Sequence, residues 1–414
     1  LNTPTNKPIA AALPLPVSYH VFLPPAPGHG RIPVVIYGHG LSDNQFGAPT
    51  YIASTLASQG FATLAIEIPG HGFGPASHVK ITNSDNSTSI VLTPGRGGKL
   101  LQSTPISSDD GCVVSGPLAV RDCARQTAVD LFALVHAIQQ TNGLGLNLDP
   151  NRIYYIGQSF GGTYGTLLRA LEPGVKKAVL NGAGGSSVDV ARFAVTGRMI
   201  ATSYLLGVSP ALFNVPPAPA PPYFRNLPFM QPQFNDEYVF RNPGVTVHST
   251  DDGALQIQGA FEVADWLHMP GDPLSYAAKL PVGSTLFQFG LGDLEVPNPA
   301  ESAVVRTANA KPYTWLFHFE IAGSIAPELF GISTPDTGGL PILPHRILSN
   351  PTIFADPAET SVALAEQKQA ASFFNGAANP DANQFLTAPY TGVPLFENPP
   401  ATLPDTLGFF QITP

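Results

Sequence analysis

Four short apolar runs, rich in β-branched and aromatic residues, punctuate the first half of the chain. Each leads straight into glycine: IPVVIYGHG (32–40), FATLAIEIPGHG (61–72), RIYYIGQSFGG (152–162) and KKAVLNGAGG (176–185). They do not alternate with polar residues. A strand covered on both faces reads as such a continuous hydrophobic run, so the pattern predicts buried parallel strands. Two more follow late, STLFQFG (284–290) and YTWLFHFEIAG (313–323). Between them the period lengthens to that of a helix. AVRDCARQTAVDLFALVHAIQQ (119–140) sets Val120, Ala124, Leu131, Leu134, Val135 and Ile138 on one face and stops at TNGLG. A final helix is predicted over PAETSVALAEQKQAASFFNG, ending at Gly376. Strands alternating with helices imply an α/β fold with a mostly parallel, doubly wound sheet.

The regular pattern breaks in two places. About 95 residues separate the fourth strand from STLFQFG. The part over 186–280 is helical or proline-rich, with VPPAPAPPYF at 215–224, and reads as a cap or lid inserted over the carboxyl edge of the sheet. A passive surface excursion is the bland alternative. A smaller insertion, about 77–117, carries ITNSDNSTS and reads as solvated loop; its aspartates lack the regular spacing of a calcium-binding loop. The expected organisation is therefore a core over 1–185, a cap over 186–280, and the rest of the core over 281–414. The last 35 residues form an extended tail.

Composition narrows the functional classes. Charged residues are only 12%, the net charge is −9, and no Lys/Arg cluster occurs. Nucleic acid is thereby disfavoured as a partner, because its binding needs a basic patch. Cys112 and Cys123 lie 11 residues apart and read as one local disulfide, favouring an oxidising compartment, with two free thiols as the alternative. The sequence begins at Leu1, shows no signal-peptide core and has no uncharged apolar run of 18 residues, so a processed, secreted (or periplasmic or surface) protein is expected. No H-E-x-x-H, phosphate loop or dinucleotide fingerprint is present, and neither a cofactor nor a metal is expected.

The chemistry concentrates at Gly157-Gln158-Ser159-Phe160-Gly161. Glycines flanking a serine between a strand and a helix allow a tight turn that lifts the hydroxyl to the sheet edge. A serine hydroxyl needs a base, and the base needs orienting. Asp293, in FGLGDLEVPNP, follows a later strand, and His345, in LPILPHRILSNP, precedes the last helix. Rivals for the acid are Glu295, Asp251, Asp252 and Asp272. Among other histidines, His318 is expected in the core of a strand, His268 lies in the cap, and His20 and His136 have no matching role. An oxyanion needs preorganised N–H donors. Phe160 supplies one by position, and Leu41, in YGHGLSDN, is the choice for the other. His39 and the second turn, PGHG at 69–72, are read as loop-shaping.

Taken in order, GHGLSDN, AIEIPGHG, IGQSFGG, GLGDLEVP and PHRIL resemble the landmarks of the α/β-hydrolase superfamily over residues 30 to 375. SGPLAVRDCARQTAVDL further resembles a helix of bacterial extracellular lipases and esterases. Two departures stand out: Glu67 replaces the usual aspartate before PGHG, and the stretch before His345 is long. The resemblance implies an α/β-hydrolase fold with an inserted lid, and a Ser159–His345–Asp293 triad acting on a small-molecule or lipid-like carboxylic ester. The apolar cap sequences ATSYLLGVSPALFNV and PPYFRNLPFM suit hydrophobic or polymeric esters. A peptidase or amidase with the same triad is the second reading, and a non-catalytic hydrolase-like binding module the third.

Overall fold

The structure, a computed structural model, describes residues 16–25, 30–97, 112, 117–194, 254–326, 343–346, 348 and 357–405. Asp251, Asp252 and most of the expected cap (195–253) lie outside them.

One mixed sheet of eight strands organises the chain: β1 (Tyr19–Phe22), β2 (Ile32–Gly38), β3 (Ala62–Ile66), β6 (Leu148–Gln158), β7 (Val175–Asn181), β8 (Thr285–Gly290), β9 (Thr314–Phe317) and β10 (Phe396–Glu397). Their spatial order is β1-β3-β2-β6-β7-β8-β9-β10. The six central strands run parallel, and only the edge strands β1 and β10 are antiparallel to their neighbours. The non-alternating runs are explained by what covers them. Along β2, Val34 and Ile36 enter the core on one face while Val35 and Tyr37 enter the core on the other. Both sets must therefore be apolar.

On the first face pack α2 (Pro117–Gln140), through Ala124, Leu131, Leu134, Val135 and Ile138, and α3 (Phe160–Leu171), through Phe160, Tyr164 and Leu168. The opposite face is covered by α1 (Ala48–Ser58), through Ile52 and Leu56. The late helix α10 (Pro357–Phe374) joins it through Val362, Ala370 and Phe373. The other described helices are α4 (Ser187–Phe193), α5 (Ala254–His268), α6 (Leu274–Ala277), α7 (Asn298–Thr307), α8 (Phe319–Ile325) and α9 (Leu343–Arg346). Cys112 and Cys123 form a disulfide with their Cα atoms 5.4 Å apart. Among the described residues no helix is long and apolar enough to cross a membrane.

Three sequence expectations change. The strand expected over 313–323 is β9 alone, because the chain turns at His318 into α8. His318 is consequently not a core residue: its ring pairs with Glu320 at 2.7 Å and Glu397 at 3.1 Å, and these carboxylates raise its pKa against the lowering effect of partial burial. The insertion after β3 is not all loop. It contains an antiparallel hairpin, β4 (His78–Thr82) and β5 (Thr88–Leu92), in which residues 83–87 of ITNSDNSTS form the turn. Edge strands β1 and β10, too short to announce themselves by pattern, close the sheet.

Candidate active site

Strand β6 ends at Gln158 and α3 begins at Phe160, leaving Ser159 alone in the turn with φ 60° and ψ −124°. An L-residue is strained there, and such strain gathers at functional turns. The flanking glycines make the turn possible. A Cβ on Gly157 would strike the Gly161 carbonyl, and one on Gly161 would strike the Gly38 carbonyl on the neighbouring strand. Backbone and side chains then fix the turn: Ser159 N–H donates to the Asn181 carbonyl (2.9 Å), and the buried Tyr155 hydroxyl donates to the Gly161 carbonyl (2.5 Å).

The chain brings Ser159, His345 and Asp293 into one line. Ser159 Oγ lies 2.7 Å from His345 Nε2, and His345 Nδ1 lies 2.7 Å from Asp293 Oδ2. With a carboxylate at Nδ1, the proton of a neutral imidazole resides there, leaving Nε2 to accept from the serine hydroxyl. Asp293 is fully buried, and its other oxygen accepts from Glu295 N–H (2.8 Å) and Val296 N–H (2.9 Å). A buried carboxylate needs such partners. His345 is held from behind, its carbonyl accepting from the Gln158 side chain at 2.8 Å.

The proposed donors adjoin this line. Phe160 is the first residue of α3, so its N–H has no carbonyl one turn earlier in the helix to bond. Leu41 follows Gly40, whose Cα faces the nucleophile closely enough that an added Cβ would lie 3.2 Å from Ser159 Cβ. The loop is anchored to α3, because the buried Tyr164 hydroxyl donates to the His39 carbonyl at 2.8 Å. Burial pushes the phenols of Tyr155 and Tyr164 well up, so both remain protonated donors.

Behind the same loop His39 Nε2 sits 3.6 Å from Glu67 Oε1. By distance this is an ion pair, yet burial lowers the imidazole to about 4 and raises the carboxyl to about 8. Desolvation outweighs the attraction, and at neutral pH the pair is an uncharged one. His39 thus shapes the loop, its Nδ1 facing the Gly40 carbonyl at 3.1 Å.

The rival residues are engaged elsewhere. Asp272 accepts from Ser187 N–H (2.6 Å) and Leu274 N–H (2.9 Å). Glu295 contributes its amide to Asp293, His136 faces Glu172 at 3.4 Å, and the His20 ring packs against Phe22 and Phe46. His268 closes α5. Among the described residues no group of three His, Cys, Asp or Glu stands placed to hold a metal ion.

Sequence reasoning missed a supporting layer. Asn298 Nδ2 donates to Glu301 Oε2 (2.7 Å) and the Gly290 carbonyl (2.8 Å), while its carbonyl oxygen accepts from Gly292 N–H (2.8 Å), bracing the Asp293 turn. Glu301 is fully buried. Desolvation, with Asp293 nearby, pushes its carboxyl well above the usual carboxylate range. Under Ser159, Asn181 Nδ2 donates to Glu366 Oε2 at 3.1 Å. The helices of Asn298, Glu301 and Glu366, NPAESAVVRT and PAETSVALAEQKQAASFF, carry polar residues throughout, so nothing in the sequence singles these out.

The parallel sheet, the helices on both faces and the order Ser159, Asp293, His345 along the chain are those of the α/β-hydrolase fold. No family model matches the sequence, and no curated protein matches it. Solved structures with which it overlaps include an acetyl xylan esterase from Paenibacillus sp. R4 (16% identity, 73% of each chain, TM-score 0.40). Est1E from Butyrivibrio proteoclasticus, bound to ferulic acid, is another (16% identity, 72% of this chain and 84% of that one, TM-score 0.37). So is a Pyrococcus horikoshii acylaminoacyl peptidase (12% identity, TM-score 0.39), where 72% of this chain covers only 34% of the other.

Proposed function

We propose that this chain is a serine hydrolase of carboxylic esters. The observation that carries the reading is the continuous hydrogen-bonded line from Asp293 through His345 to Ser159 Oγ, 2.7 Å at each step. Ser159 Oγ attacks the ester carbonyl while Nε2 of His345 takes its proton. The carbonyl π pair moves onto oxygen, where the Leu41 and Phe160 N–H groups receive it. On collapse, the bond to the alkoxy oxygen breaks and His345 returns the proton to the departing alcohol. Water then repeats the sequence on the acyl-enzyme, releasing the acid and restoring Ser159. Asp293 keeps the proton on Nδ1 and stabilises the transient imidazolium. No step calls for a cofactor.

The disulfide supports an oxidising, extracytoplasmic setting. The segment 186–280 is taken as the cap over this edge of the sheet. The test is hydrolysis of p-nitrophenyl acetate beside an aminoacyl p-nitroanilide, with wild type and Ser159→Ala. Ester turnover that falls by several orders of magnitude in the variant supports the proposal. Turnover confined to the anilide would make the protein a peptidase or amidase. Ester turnover untouched by the substitution would remove Ser159 from the chemistry.

A further inference from the structure

Two Gly-His-Gly segments, 38–40 and 70–72, leave the neighbouring strands β2 and β3, and the carboxyl of Glu67 lies between them. On one side His39 Nε2 is 3.6 Å away. On the other, a Cβ added to Gly72 would come within 3.2 Å of Glu67 Cδ, so the glycine leaves the carboxyl its room. His39 and Glu67 are both buried, and neither Nε2 nor Oε1 forms a hydrogen bond among the described residues. The carboxyl also accepts from the N–H of Gln45, further along the loop that follows β2.

The position of one proton decides what this pair does. A carbonyl oxygen only accepts, so His39 Nδ1, 3.1 Å from the Gly40 carbonyl, carries its hydrogen there. A neutral imidazole has one N–H, and Nε2 is therefore a bare lone pair facing Glu67. A protonated carboxyl complements it. An ionised one would set two acceptors against each other. With the Ile66 carbonyl also facing the ring, it would draw the hydrogen from Nδ1 to Nε2, and the Gly40 carbonyl would lose its donor. That carbonyl and the Leu41 N–H are the two ends of one planar peptide, so what holds the first aims the second. Gly40 is also the residue whose Cα faces Ser159.

We propose that Glu67 is a positioning residue of the ester reaction: its carboxyl proton holds His39 in the Nδ1–H tautomer, which aims the Gly40–Leu41 peptide at the oxyanion. This role presupposes the esterase reading and adds a residue to it. Burial raises the Glu67 carboxyl to about 8, so the proton is present at neutral pH and leaves in mild alkali. Besides His39, the charged groups facing the carboxyl are Asp43 on the loop, which raises it further, and Arg96, which lowers it. The Arg96 guanidinium donates to the Glu67 carbonyl at 3.1 Å and pairs with Asp130 of α2 at 2.6 Å. His71, its ring centre 5.3 Å from that of His39, has Nδ1 2.9 Å from the Pro69 carbonyl.

The experiment follows kcat and KM for p-nitrophenyl acetate from pH 6.5 to 9.5, spontaneous hydrolysis subtracted, in wild type, Glu67→Gln and Glu366→Gln. Losing one oxyanion donor costs about 10²–10³ in kcat, so turnover should follow the protonated fraction of Glu67. Wild-type kcat is then expected to fall about tenfold from pH 7 to pH 9 with KM unchanged. Glutamine keeps a donor toward Nε2 and does not ionise, so kcat of Glu67→Gln should stay level over that range. Glu366 is also raised to about 8, and Glu366→Gln should keep the wild-type fall. A level wild-type profile, a fall that survives in Glu67→Gln, or one abolished by Glu366→Gln overturns the proposal. Nitrogen-15 NMR of histidine-labelled protein tests the tautomer without turnover. His39, assigned against His39→Asn, should carry its proton on Nδ1 at pH 7 and on Nε2 by pH 9. An Nε2 proton at pH 7 overturns the proposal. Absence of ester turnover at every pH, with the tautomer as expected, would instead overturn the esterase reading.

Discussion

Replacing Glu366 by glutamine isolates one buried proton. Glu366 lies fully inside the layer beneath the nucleophile, its Oε2 accepting from Asn181 Nδ2, and burial raises its pKa from 4.5 to about 8. Below pH 4.5 the folded and unfolded chains both hold the proton. Between 4.5 and about 8 only the folded chain keeps it, so stability falls as pH rises across that window and has lost its full increment above it. At 1.36 kcal/mol per pH unit the whole window amounts to about 5 kcal/mol, and the part above pH 6 to about 3 kcal/mol. Glutamine keeps an acceptor for Asn181 and does not titrate. Urea unfolding at pH 6 and pH 9 should therefore show the stability of Glu366→Gln relative to wild type rising by about 3 kcal/mol. Glu67, also raised to about 8, is present in both proteins and cancels. A difference that stays constant with pH would mean that Glu366 is already ionised in the fold.

The elbow and its loop give further outcomes. Gly161→Ala should destabilise the fold by roughly 1–3 kcal/mol and depress ester turnover, since its methyl meets the Gly38 carbonyl; wild-type melting would refute the close approach. Tyr164→Phe removes the hydrogen bond to the His39 carbonyl, costing about 1 kcal/mol in denaturant unfolding and lowering kcat more than it raises KM. Asp293→Asn should leave the fold intact while cutting kcat by about 10⁴, because the amide selects the wrong imidazole tautomer; retained activity would put another acid behind His345.

The fold class was legible in the sequence, and glycine spacing and chain order picked out the candidate site residues, while several elements around them gave weaker signals. Continuous apolar runs identified β2, β3, β6, β7 and β8, since a strand with helices on both faces has no polar side to hide it. The same rule misread 313–323, where apolar residues continue past Phe317 because α8 packs Phe319, Ile321 and Ala322 against the same core. Edge strands β1 and β10 carry too few residues to set a period, and the hairpin is legible only through the pairing of β4 with β5. Ser159 was readable because its turn demands glycines. Asp293 and His345 were readable from chain order, though only the fold brings residues 52 and 186 positions apart within 2.7 Å. Asn298, Glu301 and Glu366 left no mark, since a buried polar residue inside a helix looks like a solvent-facing one until its neighbours are known.

The central claim is that Ser159 is the nucleophile. Treatment of wild type with a fluorophosphonate, followed by peptide mass mapping, tests it most directly. One adduct per chain is expected, on the peptide containing Ser159, and it should disappear in His345→Gln, where the base is lost. A chain that takes no label, or carries it on another residue, would show that Ser159 is not the nucleophile.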